Sequence, residues 1–432
     1  MTSNATVTTL KSLLGQSVKL QGWVHNLRRS GKLSFIELRD GTGFVQCVIE
    51  DANLPANELE ELNAVTRESS VEISGIVATH PKHADEYELH AKNFKLIHKS
   101  EEFPIGKKEH GPDFLLDQRH LWLRSKKQWA IQRIRNTIIE STYAFLYQEG
   151  FIKMDSPIIT ANACEGTTTL FGLEYFDLGT AYLSQSGQLY LEAGIGAHRR
   201  VFDFGPVFRA ERSKTRKHLA EFWMMDAEMA FADHQDNMKL QENLVAFMVQ
   251  QVLSKNGNEL KMLERNEEPL RKVVAPFPRI THREAVLKLQ ELGSEIKEDM
   301  DLGAGDETLL AQVYDVPIFI ERWPAKIKAF YMKRDPADPS IALAADLMAP
   351  EGFGELIGGS QREDSYEMLL ERMKEEDMPI EPFQWYLDLR KYGSVPHCGF
   401  GFGLERLVAW IAGVEHIRET IPFPRMLYRN KP

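Results

Sequence analysis

Two textures divide the chain. Over its first hundred residues apolar and polar positions alternate in five short runs: SVKLQGWVHNL from Ser17, LSFIELRD from Leu33, FVQCVIE from Phe44, SVEISGIVAT from Ser70 and YELHAKNFKLIH from Tyr87. A period of two sends one row of side chains to a core and the other outward, so each run predicts a strand. Asp40-Gly41-Thr42-Gly43 marks a turn, and ANELEELNAV is one helical interruption. Five strands and one helix over residues 1–103 fit a small OB barrel, a fold whose strand face often holds nucleic acid.

From residue 128 the pattern is mixed. Ile131, Ile134, Ile138 and Ala144 recur at helical spacing and Gly150 ends the run. FIKMDSPIIT reads as a strand interrupted by Pro157, which cannot donate to a ladder and belongs at an edge or interface. Strands and helices then follow irregularly, without a βαβ beat, which predicts an α+β domain over 128–432. No GxGxxG after a strand, Walker lysine loop, HExxH, internal repeat or low-complexity tract is present. Residues 104–127 read as a basic hinge. From Ile105 to Arg135, Lys107, Lys108, Arg119, Arg124, Lys126, Lys127, Arg133 and Arg135 face only Glu109, Asp113 and Asp117, with Pro104, Gly106, Gly111 and Pro112 in or beside the stretch.

Composition narrows the class. The 432 residues are 43% apolar and 27% charged, with a formal net charge of −11, which is ordinary globular material with ample core. The acidic balance argues against indiscriminate polyanion binding but leaves room for local basic patches. The first residues lack an apolar h-region, so no signal peptide is expected, and LVAWIAGV is too short to span a bilayer. Cys47, Cys164 and Cys398 show no CxxC spacing, which argues against disulfides and zinc and for a reducing cytoplasm.

Three places carry candidate chemistry. FRAERSKTRKHLAEFWMMDAEM, from Phe208, concentrates Arg209, Arg212, Lys214, Arg216 and Lys217 against Glu211 alone, then turns apolar with evenly placed acids. On the residues alone it is either a solvated loop or a polyphosphate cradle. Asp346 and Glu355 stand on consecutive strand ends and suit a hard cation or a solvated acidic turn. Phe35 and Gln46, on adjacent strands with Arg28 and Arg29 before them, make either a base-stacking face or, for Phe35, part of the core.

GFIKMDSPIIT, FRAERSKTRKHLAEFWMMDAEM and GFGFGLERLVAW, in this order, resemble the three signature motifs of class II aminoacyl-tRNA synthetases. The preceding OB barrel is similar to the aspartate, asparagine and lysine subgroup. RHLWLRS, EGTTTLF, YLSQSGQLYLEA, GELIGGSQRE and IPFPR make the whole chain resemble its bacterial asparaginyl branch. The resemblance implies a ligase that joins L-asparagine to ATP as asparaginyl-adenylate, releases pyrophosphate and passes asparagine to the 3′ end of tRNA(Asn). It implies a cytoplasmic homodimer paired through the Pro157 segment, with no membrane association. Catalysis would rest on Arg209 and Arg406. ATP would be held by Arg209, Glu211, Lys217, His218, Leu219, Phe222, Glu355, Gly403, Leu404, Glu405 and Arg406, with Mg²⁺ on Glu355 and Asp346. Asparagine would meet Glu165, Gln185, Gln188, Glu192, Arg209 and Arg362, and the anticodon Arg28, Phe35 and Gln46. Aspartyl relatives carry a lysine where this chain has Leu191, followed by Glu192, and often a serine where it has Gly358. The first difference implies preference for an amide, with Glu192 accepting from its NH₂. Alternatives are an aspartyl enzyme with relaxed tRNA choice, an ammonia-using asparagine synthetase relative and a non-catalytic RNA-binding protein.

Overall fold

The computed structural model describes residues 3–83, 86–162, 170–213 and 215–432, which form two units, Met1–Pro112 and Asp113–Pro432. The first contains β1 (Ser3–Asn4), β2 (Ser17–Ser30), β3 (Leu33–Arg39), β4 (Phe44–Glu50), α1 (Ala56–Ala64), β5 (Ser70–Thr79) and β6 (Tyr87–His98). The order is β1-β2-β3-β4-β6-β5, and pairing of β2 with β5 closes the barrel. The alternating pattern decides which side faces in. Leu20, Val24, Ile36, Leu38, Cys47, Ile49, Val71 and Ile73 fill the core, while Phe35 stays outside it.

The second unit opens with α2 (Pro112–Asp117), α3 (Arg119–Trp122) and α4 (Lys126–Gln148). The hinge expected over 104–127 is therefore corrected: its second half is helical. Arg119 is buried, donating from Nε to the Pro422 carbonyl (2.8 Å) and from Nη2 to that of Ile421 (2.8 Å). The cation counted toward a basic hinge is, at Arg119, an internal tie. In α4, Ser125 caps the helix by accepting from Gln128 N. Ile131, Ile134 and Ile138 are fully buried. Ala144 is exposed, and the stripe continues instead through Phe145 and Leu146, because 3.6-residue periodicity carries the core face there.

Pro157 separates β7 (Ile152–Lys153) from β8 (Ile159–Thr160), which lie in different sheets. β9 (Gly172–Glu174) and β10 (Thr180–Leu183) complete the small sheet with β8. There follow α5 (Gln188–His198), β11 (Arg200–Phe208), β12 (Glu221–Ala230), α6 (His234–Lys255), α7 (Gly257–Met262), α8 (Glu268–Arg271), β13 (Arg279–Thr281), α9 (His282–Glu291) and α10 (Ala304–Ala311). β14 (Ile318–Pro324), β15 (Arg334–Asp335), β16 (Asp338–Ala349), β17 (Gly354–Gln361), α11 (Tyr366–Glu375), α12 (Gln384–Lys391), β18 (His397–Gly403) and α13 (Leu404–Ala412) end the chain. The large, nine-stranded sheet runs β13-β14-β16-β17-β18-β12-β11-β7, with β15 pairing β16 off that path, and is antiparallel except at β13–β14 and β11–β7. Helices α4, α6 and α13 cover one face through a core that includes Ile134, Met248, Phe400, Phe402 and Trp410. The opposite face is covered in part, by α5 on β11 and β12 and by α9 and α10 on β14 and β16. Among the described residues no helix is long and apolar enough to cross a membrane.

Candidate active site

The site is written into the alternation of two central strands. Along β18, Gly399, Gly401 and Gly403 alternate with Phe400 and Phe402, which are buried in the helix-covered core. The glycines pair with Glu228, Asp226 and Met224 of β12. A Cβ on Gly401 would stand 2.3 Å from Asp226 Oδ1, and one on Gly399 2.1 Å from Glu228 Oε1. The glycine column is thus the space in which two acids lie across the sheet. Phe222, Met224, Asp226 and Glu228 share one face of β12. Antiparallel β11 and β12 pair from Arg200↔Met229 to Phe208↔Glu221, and the cationic loop joins them.

Two adjoining hollows open on this face. One of about 90 Å³ is lined by Arg209, Glu211, Lys217, His218, Leu219, Phe222, Glu355, Gly403, Glu405 and Arg406, among others. The other, about 420 Å³, includes Gln188, Asp226, Lys328, Tyr331, Asp346 and Arg362. Arg209, Met224, Glu355 and Gly401 belong to both walls. Arg209 lies over the Phe222 ring at 5.4 Å. Arg406 donates from Nη1 to the Glu355 carbonyl (3.1 Å) and Oε2 (3.2 Å). Burial opposes charge on Glu355, but Arg406, Lys328 and Arg209 together hold it below the usual carboxylate range. His218, 3.4 Å from Glu211, lies below its ordinary pKa through burial, which outweighs Glu211; Arg406, Arg209 and Lys217 add to the lowering. Lys217 meets Glu307 at 3.3 Å.

Asp346 and Glu355 flank Gly358: a Cβ there would lie 3.2 Å from Glu355 Oε1 and 3.6 Å from Asp346 Oδ1. The bare glycine leaves room between two carboxylates, a donor set suited to Mg²⁺. Asp346 accepts from Lys328 Nζ at 2.7 Å, and burial pushes its carboxyl up to about 7 despite that lysine. Arg362, at the far end of the larger hollow, is held by Glu228 (2.5 Å) and the Ser360 hydroxyl (2.8 Å). Burial, with Glu192 nearby, lifts Glu228 to about 7 against the pull of Arg362.

Several expected site residues are placed elsewhere. Glu192 does not line the hollow. Its Oε2 accepts from Arg390 (2.6 Å) and Tyr386 (2.7 Å) and lies 3.1 Å from His397 Nε2, and its Oε1 accepts from Gln188 (3.1 Å). The expected amide contact is corrected: a carboxylate saturated by buried donors braces Gln188 from behind. Leu191 packs in a core with Ile195, Val201 and Ala230. Leu404 is fully buried in the helix-side core, and Glu405, although it reaches the wall of the smaller hollow, spends its carboxylate on Arg135 (2.8 Å) and Trp223 N (3.1 Å). Gln185 is buried and outside the lining of either hollow. Glu165 and Lys214 lie outside the described residues.

Sequence reasoning missed Asp226, Glu228, Lys328 and Tyr331. The signal for the first two was present, as acids at period two in an otherwise apolar strand opposite GFGFG. Lys328 and Tyr331 come from an irregular stretch after β14 and carry no local signature.

On the barrel, Arg28 lies over the Phe35 ring at 4.7 Å, and Gln46 donates to Glu88 Oε2 at 3.0 Å. Phe35 pairs with Val48 and Glu37 with Gln46, so Phe35 and Gln46 share the outer face. Arg29 turns aside to α1, donating to the Leu62 carbonyl at 3.1 Å.

Residues 111–427 match the tRNA synthetases class II (D, K and N), and residues 18–97 an OB-fold nucleic acid binding domain. The asparagine–tRNA ligase of Chloroflexus aurantiacus is 51% identical over 99% of both chains. The crystal structure of asparaginyl-tRNA synthetase from Pyrococcus horikoshii complexed with asparaginyl-adenylate is similar at 45% identity, with a TM-score of 0.93 over 98% of this chain and 97% of that one. The Entamoeba histolytica asparaginyl-tRNA synthetase, also with asparaginyl-adenylate, aligns at 32% identity and a TM-score of 0.90 over the full length of both.

Proposed function

Because the chain belongs to the class II tRNA synthetases of the D, K and N group, we propose that it is an asparagine–tRNA ligase built on the two hollows that meet at Arg209. ATP lies over the smaller hollow, whose walls hold part of the nucleotide, and L-asparagine in the larger. An oxygen of the asparagine carboxylate attacks the α-phosphorus. The bond from that phosphorus to the bridging oxygen breaks, and pyrophosphate leaves. A terminal ribose hydroxyl of tRNA(Asn) then takes the acyl group and AMP departs. The nucleophile of the first step comes with the substrate, so the chain supplies alignment and charge neutralisation rather than a catalytic base.

The observation that carries this reading is the position of Arg209, on the wall of both hollows. Its planar fork can hold the substrate carboxylate and the α-phosphate together, a bidentate task for which lysine is poorer. Phe222 offers a ring to the adenine and Arg406 its other face; Lys217 and His218 reach the phosphate tail. Asp346 and Glu355 are the residues that would hold Mg²⁺, which supplies charge neutralisation at the phosphates. Asp226 is the anion suited to the substrate ammonium, and Arg362 donates to the side-chain carbonyl. With Glu228 already balancing Arg362, a neutral amide leaves the charges even, whereas a second carboxylate adds a buried negative charge.

On the barrel, Phe35, Arg28 and Gln46 serve the anticodon as a stacking ring, a cation and a polar reader. The enzyme works in the cytoplasm as a homodimer, and the pairing is supported by the exposed Tyr147, Ile152, Ile158 and Ile159 around Pro157. ATP–pyrophosphate exchange with asparagine and aspartate side by side tests the assignment. Brisk exchange with asparagine and little with aspartate is expected, and equal rates would reject it.

A further inference from the structure

Behind the larger hollow stands a second carboxyl that the reaction does not use. Asp203 of β11 pairs directly across from Asp226 of β12, and both are buried. Two carboxyl groups at such close quarters cannot both ionise without a large cost. Asp226 has the donors: its Oδ2 accepts from Gly187 N and from the Ser186 hydroxyl, both at 2.9 Å. Asp203 lies beneath the same turn. A Cβ on Gly187 would meet Asp203 Oδ2 at 1.8 Å and Ser156 Oγ at 2.5 Å, so the turn rests directly on these two side chains. Ser156, next to Pro157, also donates to the Gly187 carbonyl at 3.3 Å.

We propose that Asp203 is a positioning residue for asparagine activation: as a neutral acid it seats Gly187, together with Ser156, and leaves Asp226 as the single anion offered to the substrate ammonium. The proposal rests on the ammonium role given to Asp226 above.

The surroundings agree. The groups facing Asp203 are Asp226 on β12, Lys153 on β7, Ser156 in the turn after β7, and Tyr143 on α4. Lys153 is itself bonded to Asp155. Burial, then the charge of Asp226, push Asp203 up to about 8, while Ser156, the Asp226 backbone and Lys153 pull the other way without prevailing. A carboxyl raised in this way is protonated in the folded chain and ionised in the unfolded one between about pH 4 and 8. Folding stability therefore falls as pH rises through that window.

Three variants test this. Asp203→Ala removes the support and should raise the KM for asparagine about tenfold or more in pyrophosphate exchange. Asp203→Asn has the shape and neutrality of the protonated acid and should restore KM to within about threefold of wild type at pH 7. Wild-type KM should climb through pH 8 relative to Asp203→Asn, which shares every other titrating group of the site, Glu228, Asp346 and the substrate amine included. The melting temperature of Asp203→Asn minus that of wild type should grow from pH 5 to pH 8. An Asp203→Asn chain that fails to fold, that loses exchange as fully as Asp203→Ala, or whose melting difference does not change with pH overturns the proposal. Asp226→Asn separates the premise. Normal exchange there would reject Asp226 as the ammonium site, while the pH-dependent melting difference would still report the charge state of Asp203.

Discussion

The outer face of the barrel and the floor of the catalytic sheet both use aromatic rings and arginines, yet under opposite conditions. On the barrel, Arg28 is exposed and sits over a half-buried Phe35, with water competing for every polar group. Against the sheet, Glu228 of β12, Arg362 just after β17, Glu192 of α5 and Arg390 of α12 are nearly sealed from solvent and satisfied chiefly by one another. Stacking on an open face is worth roughly 1–3 kcal/mol per base. A broken buried ion pair costs roughly 3–5 kcal/mol, because it strands a charge where water cannot reach it. One surface is built to be modest and reversible, the other to hold charges that neither move nor reorganise during the reaction.

The contrast can be broken first at its strongest point. Arg209→Ala should reduce asparagine-dependent exchange by about a thousandfold, the scale of losing a principal transition-state donor, while leaving tRNA affinity within about twofold. A loss below tenfold in single-turnover adenylate formation would show that Arg209 is not the shared cation.

Glu192→Gln comes next. It should destabilise the fold by about 3 kcal/mol at pH 7, since Arg390 loses its buried partner, and the asparagine-to-aspartate ratio should stay unchanged. Arg390 and His397 overcome burial and hold Glu192 far below the usual carboxylate range. Its contribution is therefore full above the unfolded carboxylate pKa and lost as pH falls below it. Denaturant melts at pH 7 and pH 4 should show the gap between variant and wild type narrowing on acidification. A changed substrate ratio would return Glu192 to the specificity pocket.

On the barrel, Phe35→Ala should weaken tRNA charging by about 2 kcal/mol of lost stacking and leave tRNA-free exchange intact. An equal fall in both would mean that the ring supports the fold. Arg28→Gln is the smallest, about 0.5–1 kcal/mol for an exposed cation over a ring, read as a modest rise in the KM for tRNA that shrinks with added salt.

Much of this was legible in one dimension. Period-two alternation placed the five barrel strands, since register on a one-sided sheet is dictated by which side chains must leave water. Arg209, Glu211, Lys217, His218 and Leu219, in the loop between paired β11 and β12, and Phe222, at the start of β12, form one local motif, so their convergence on one hollow follows from the chain's own neighbourhood. Gly399, Gly401 and Gly403 were also readable, because alternation with phenylalanine announces one packed face and one bare one.

What the tertiary structure alone decided was the partner of each charge. Arg119 looked like a cation in a hinge and is buried against carbonyls some 300 positions away. Glu192 looked like a ligand for an amide and is spent on Arg390, Tyr386 and His397, which come from α12 and β18. Asp203 and Asp226 gave no sign of facing each other until β11 and β12 were in register. Local pattern reports whether a position is wet or dry and which backbone it favours. The charge state and employment of a polar group depend on what stands within a few ångströms of it, and in a nine-stranded sheet those neighbours are brought in from distant sequence by the crossover connections.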